Sequence, residues 1–247
     1  MANVARGALA GPEADARTGL AGGGAGSDFE PLTVDALGSV LLERGELDDA
    51  DQLVLPVAAR CDGVDRFTAL FGIHARGRLR IARGDLRDGL DDLTTCRRWL
   101  EALGMGARGS IPWASEAALA HLAVGDRDCA SELARRELEE TRRVGELRTL
   151  DVALRTSGLV ERDIGSLREA VEVLERSEAR LEHARALVDL GAALRRAGHR
   201  TDARPPLSAG LDLADRCAAT LLTARAREEL IAAGARPGAN GSPASTH

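Results

Sequence analysis

The stretch Leu187–Leu207, "LVDLGAALRRAGHRTDARPPL", decides the fold. Small and apolar residues stand in it at fixed distances from one glycine. Gly191 lies seven residues before Gly198, Ala203 five after it and Leu207 nine after it. Such spacing suits two helices packed tightly around a short turn, with small residues where the backbones meet. The same offsets recur. Gly165 is accompanied by Gly158, Ala170 and Leu174, and Gly125 by Ala118, Ala130 and Ala134. Gly84 has Gly77, Gly89 and Leu93, and Gly45 has Gly38, Ala50 and Val54. The five turn glycines are separated by 39, 41, 40 and 33 residues. A near-constant period in this range marks an array of helical repeats.

The local chemistry agrees. "RGELDDAD", "RGDLRDGL" and "VGDRDCAS" each place a glycine at the turn and acidic residues directly after it. Glycine accepts the left-handed conformation that ends a helix. Asp and Glu complement the exposed N–H groups where the next helix begins. Pro205 and Pro206 are expected in the first turn of a helix, where a missing N–H costs little. "LLTARAREELIAA", Leu221–Ala233, reads as the first helix of a sixth unit without a partner, which makes it a capping helix.

Composition points the same way. Of 247 residues, 44% are hydrophobic but only 2% are aromatic, so the core is built from Leu, Ala and Val. Ala and Leu are strong helix formers, and strand formers are sparse. The expected fold class is all-α, an α-solenoid of about five antiparallel helix pairs plus a terminal capping helix. Its expected extent is residues 31–234. Residues 1–30 and 235–247, rich in Gly, Ala, Pro and Ser, read as a disordered linker-like N-terminus and a disordered tail.

The net charge of −6 argues against nucleic-acid binding through bulk electrostatics. There is no Lys in the chain, which removes Schiff-base chemistry and the phosphate-loop lysine. Gly19 and Gly24 have a nucleotide-loop spacing, but Ala25-Gly26 stands where Lys-Ser/Thr is required. Cys61, Cys96, Cys129 and Cys217 are scattered, with no CxxC pair, as in reduced buried thiols. His74, His121, His183, His199 and His247 show neither HxxxH nor HExxH spacing, so no metal site is expected. No GxSxG nucleophile motif is present. Acidic residues mostly interleave with Arg at helical spacings, as on a solvated helix face. The sequence therefore predicts a non-enzymatic, cytoplasmic protein with no cofactor and no membrane span.

Leu190-Gly191, Leu194, Ala203 and Leu207 resemble the tetratricopeptide repeat motif. Gly210 stands at the motif's last Ala, and Asp215 replaces its closing Pro. The other units match more weakly, and several periods exceed the usual ~34 residues. A narrower resemblance covers residues 145–236. From "LEHARALVDLGAALRRAG" to "AAGARP" the wording is similar to the helical-repeat region of large ATP-binding LuxR-type transcription regulators. That resemblance implies a regulatory, protein-interaction module receiving a partner or small-molecule signal. In that family, ATPase and helix-turn-helix domains flank this region. Neither motif set is found in this sequence, so no ATP-binding or DNA-binding residue is carried over, and no direct DNA binding by this chain is expected. A stand-alone scaffold that binds a partner protein or peptide is the alternative.

The repeat resemblance further implies that first helices line a concave groove. Transferring the groove-facing offsets selects His74, Arg78, Arg155, Arg162, Arg185, Arg195 and Arg196, with Asp35 and Glu43 from the earliest unit. An Arg-lined groove favours an anionic effector or an acidic peptide.

Overall fold

The computed structural model describes residues 10–20, 26–64, 67–105, 111–144 and 147–234. Among them there are twelve α-helices and no strands. Five antiparallel pairs follow one another: α2 (Glu30–Arg44) with α3 (Leu47–Cys61), α4 (Ala69–Arg83) with α5 (Leu86–Ala102), α6 (Trp113–Ala123) with α7 (Arg127–Val144), α8 (Leu147–Glu161) with α9 (Ile164–Glu175), and α10 (Arg180–Arg196) with α11 (Arg200–Arg216). The terminal helix is α12 (Thr220–Ala232).

The expected linker-like N-terminus needs correction, because a further helix, α1 (Ala10–Gly19), lies within it. It is held on α2, with Ala16 buried, Leu20 against the N-terminal core and Glu13 paired with Arg44 at 2.6 Å. The few apolar side chains among its glycines suffice once a repeat face is available to cover them. Residues 235–247 lie outside the described residues.

Four of the five turn glycines stand where the spacing put them. Gly45, Gly84, Gly125 and Gly198 have φ of 77°, 91°, 85° and 89°. Each closes a helix with the same pair of bonds, as at Gly198, whose N–H donates to Arg195 O while the His199 N–H donates to Leu194 O. This paired capping satisfies carbonyls that a helix end leaves open. The fourth turn differs. Gly165 is helical, the second residue of α9, and Arg162 takes the left-handed position at φ 58°. Asp163 sets this register by accepting from Gly165 N at 2.9 Å and Ser166 N at 3.0 Å as the N-cap. The third and fourth intervals thus become 37 and 36 residues. The prolines of α11 also sit one turn further in than expected, since the helix starts at Arg200. The carbonyls they leave unpaired, on Thr201 and Asp202, belong to exposed residues that water reaches.

The last turn uses Ala218, also left-handed at φ 58° and exposed. A side chain in this region costs about 1–2 kcal/mol, and glycine removes that strain while loosening the unfolded chain. Ala218→Gly is therefore expected to raise stability by roughly 1 kcal/mol, since no packing is lost. Chemical denaturation compares the two proteins, and a lower midpoint for the variant at equal slope contradicts the expectation.

The offsets of the opening stretch are contacts between paired helices. A Cβ added at Gly38 would stand 3.1 Å from Val54, and one at Gly77 3.5 Å from Leu93. At Gly191 it would overlap Leu207 and stand 3.0 Å from the carbonyl oxygen of Ala203. Ala118, Ala130 and Ala134 fill the corresponding space between α6 and α7.

The array closes on itself. α12 packs not only on α10 and α11 but also on α2. Val40 of α2 shares a buried cluster with Leu222 and Ala226 of α12, and Leu221 lies over Gly45. The first helices α2, α4, α6, α8, α10 and α12 therefore form an inner ring, with α3, α5, α7, α9 and α11 outside it. No helix among the described residues is long and apolar enough to cross a membrane.

Candidate functional site

The inner ring carries a polar centre. A side chain that faces inward from a first helix meets the first helices on either side. Polar residues at these positions therefore link successive repeats.

His74 of α4 is the clearest case. Its Nδ1 lies 2.8 Å from Asp35 Oδ1 of α2, and its Nε2 lies 2.7 Å from Glu116 Oε2 of α6. Glu116 is also ion-paired with Arg78, whose Nε lies 3.2 Å from its Oε1, and Arg78 donates to Ser39 Oγ. His74 and Asp35 are each 1% exposed. Burial pushes the His74 imidazole down, but the charges of Asp35 and Glu116 and their hydrogen bonds outweigh it and raise it to about 9. Burial pushes Glu116 up, and the charges of His74 and Arg78 hold it below its usual range. The triad is thus an ion pair on both sides of an imidazolium, joining three repeats.

On the opposite side of the ring, Asp189 of α10 accepts from Arg155 of α8 at 3.0 Å and from Arg225 of α12 at 2.6 Å. Arg185 of α10 bonds to Glu182 on its own helix and to Glu43 of α2, a partner 142 residues away in sequence. Between these groups lies a cavity of about 330 Å³, lined by Glu43, Arg78, Glu116, Arg155, Arg185, Leu221, Leu222 and Arg225. Arg155 Nε and Glu182 Oε2 stand 3.8 Å apart beside it, both buried and without a hydrogen-bond partner. An unmade bond of this kind is costly in a folded protein unless water or a ligand completes it.

The structure brings together Arg78, Arg155 and Arg185 of the sequence-selected residues. His74 is nearby, but both ring nitrogens are already occupied. Arg162 is the exposed turn residue and does not line the cavity. Arg195 and Arg196 lie at the C-terminal end of α10 and face α12, where Glu229 is 2.5 Å from Arg195 and 4.0 Å from Arg196. Arg162 departs because the transferred offset assumed a turn at Gly165, whereas Arg162 itself takes the turn; Arg195 and Arg196 depart because they stand in the last turn of α10, beside Glu229. The selection missed Glu116, Glu182, Asp189 and Arg225. A signal was present for two of them: Glu116 and Asp189 each stand nine residues before a turn glycine, at the offset where the first two units carry Ala36 and Ala75. Arg225 gave no such signal, because it reaches the site only through ring closure.

The expected Arg-lined groove is thereby altered. Every arginine of the lining has an acidic partner, so the cavity offers both signs. It can hold a carboxylate or phosphate on the guanidinium forks. It can also accept hydrogen bonds from an ammonium or hydroxyl at Glu43 and Glu116. The lining contains no hydroxyl, thiol or imidazole nucleophile.

The titrating groups of the ring make stability depend on pH. His74 rises from 6.5 to about 9 on folding. Burial raises Glu137 to about 7 and Asp151 to about 6. All three bind protons more tightly when folded, so the stability they confer is complete at low pH and lost as pH climbs through their folded values. Glu116 acts oppositely, but only near and below 4.5, the ordinary value of a glutamate. His183, lowered by burial, also acts oppositely, below 6.5. The melting temperature is therefore expected to fall between about pH 6 and pH 9 at constant ionic strength. A flat or rising melting temperature over that range contradicts the assignment.

No family model matches the chain, and no curated protein matches it. Solved structures do. Nearly identical TPR-like repeats of a Podosopora anserina kinesin light chain are 16% identical, over 76% of this chain and 96% of that one, with a TM-score of 0.50. BtubC (BKLC) from P. vanneervenii is 12% identical, over 97% of this chain and 95% of that one, with a TM-score of 0.54. NprR in complex with its cognate peptide NprX is 17% identical, over 83% of this chain, with a TM-score of 0.51. The fold is a tetratricopeptide-like helical repeat. This chain spans 64% of the NprR chain. In this chain the first helices line the polar ring centre.

Proposed function

We propose that this tetratricopeptide-like chain is a non-catalytic, signal-receiving module of a LuxR-type transcription regulator. Its ring-centre cavity binds a compact ligand bearing a carboxylate or phosphate. One observation carries the reading: Arg78, Arg155, Arg185 and Arg225, from four separate helices, converge on one cavity of about 330 Å³. That volume lies at the lower end of the range of small-molecule sites, roughly 300–1,000 Å³. The peptide complex of NprR supports a ligand-receiving use of the same fold, and the wording of residues 145–236 supports the regulator setting. The small volume favours a small effector, or one end of a peptide, over an extended partner segment.

The test is a thermal-shift screen of small carboxylates, phosphates and short acidic peptides, followed by calorimetry on each hit. Arg225→Ala is the informative variant, because Arg225 lies at the rim and is partly exposed. Binding of an anionic compound weakened at least tenfold by Arg225→Ala supports the reading. No shift with any anionic compound, or binding indifferent to Arg225, overturns it. In this reading the chain does not itself contact DNA or turn over ATP. Sequence-selective duplex binding at nanomolar affinity that survives about 150 mM salt contradicts the first statement. ATP hydrolysis above background contradicts the second.

A further inference from the structure

The turn between α6 and α7 gathers three side chains that the ring centre does not use. His121 lies in the last turn of α6, Asp126 directly before α7, and Cys129 in the first turn of α7. One ligand atom of each, an imidazole nitrogen, a carboxylate oxygen and a thiol sulfur, lies within 4.8 Å of the other two. His121 Nδ1 is 3.2 Å from Asp126 Oδ2.

These are the three donor types of protein zinc sites. Zinc bonds of about 2.0–2.2 Å to nitrogen and oxygen in a tetrahedron put those two atoms roughly 3.3 Å apart. His121 and Asp126 already stand at that separation. The sulfur needs only a side-chain rotation, because Cys129 is exposed, unlike Cys61, Cys96 and Cys217. The scaffold is firm. Gly125 turns the chain at φ 85°, and the Asp126 N–H donates to His121 O at 2.9 Å, which ties two of the ligand residues together. Ala118, Ala130 and Ala134 lock α6 to α7 below the turn. Solvent reaches the cluster, so a water can complete four-coordination. One thiolate and one carboxylate balance the charge of a divalent ion.

We propose that His121, Asp126 and Cys129 form a surface binding site for Zn²⁺, with water as the fourth ligand. On binding, the Cys129 thiol releases its proton to solvent and its sulfur bonds the metal. The His121 Nδ1 lone pair and one Asp126 oxygen supply the other two protein bonds. Neither ring nitrogen nor carboxylate is shared with the ring-centre cavity, so this site is independent of the ligand proposed there. Sequence spacing hid it, because H-x4-D-x2-C spans a turn and matches no single-helix pattern.

The probe is Co²⁺, a coloured stand-in for Zn²⁺, added to the full chain after chelator treatment and desalting, in a non-thiol reductant. The expected result is one ion per chain, with a thiolate-to-cobalt charge-transfer band in the near ultraviolet that Zn²⁺ abolishes. Cys129→Ser removes the band without lowering the melting temperature of the metal-free protein. His121→Ala weakens binding at least tenfold. Absence of the band, its survival in Cys129→Ser, or a band unaffected by His121→Ala overturns the proposal; the last would mean that the thiol binds alone.

Discussion

Replacing His74 with Leu is expected to destabilise the protein by about 3–5 kcal/mol at pH 7, the range for removing one partner of a buried ion pair. The imidazolium sits between Asp35 and Glu116, 2.8 Å and 2.7 Å away. Leucine fills a similar volume but leaves both carboxylates without their shared partner. Glu116 keeps Arg78 at 3.2 Å and about a fifth of its side chain open, so it is partly compensated. Asp35 keeps nothing comparable, since its Oδ2 already lacks a partner and the residue is 1% exposed. The loss therefore falls mainly on the α2–α4 contact. Adding Asp35→Asn removes the stranded charge and should restore at least half of it. The same variant should flatten the decline in stability above pH 6, because the group that titrates near 9 is gone. Urea denaturation of the wild type, the single and the double variant measures these effects. A His74→Leu loss under about 1 kcal/mol would show that the triad is not the buried ion pair described here.

The second large effect concerns the contact between Gly191 and Leu207. Leu207 is fully buried, and Leu207→Ala is expected to lose about 2–5 kcal/mol through lost transfer energy and the cavity left behind. Gly191→Ala adds a methyl group where Leu207 and the Ala203 carbonyl leave no room. Alanine is the better helix former by about 1 kcal/mol. Overpacking nonetheless makes the net change a loss of about 1–3 kcal/mol. In the double variant the new methyl enters the space that Leu207 vacates, so the combined loss should fall short of the sum by at least about 1 kcal/mol. Recovery stays incomplete because the Ala203 carbonyl, 3.0 Å from the added Cβ, is backbone and cannot rotate away. Strict additivity across this cycle would mean that the two positions do not touch.

The helix pairs, most of their turns and the close approach of partners were legible in the sequence because they are local. A turn glycine, the acidic start of the next helix and the small residues that face each other all lie within about one repeat. The period then carries the pattern along the chain. Where a side-chain cap replaced glycine geometry, at Asp163, the register slipped by three residues and took Arg162 with it.

The candidate site was only half legible, for a different reason. Arg78, Arg155 and Arg185 could be named from repeat offsets, but of their acidic partners only Glu43 was, and Glu116, Glu182 and Asp189 reversed the expectation of a plainly cationic groove. Ring closure lies beyond the reach of any period. Leu221 over Gly45, and Arg185 on Glu43, join residues far apart in the chain. Local propensity determines each helix and each turn. The small rotation between successive repeats, summed along the array, decides where the last helix arrives. That sum is set by side-chain packing at every interface, and only the tertiary structure shows that it brings α12 back to α2 and gathers the lining of a polar cavity.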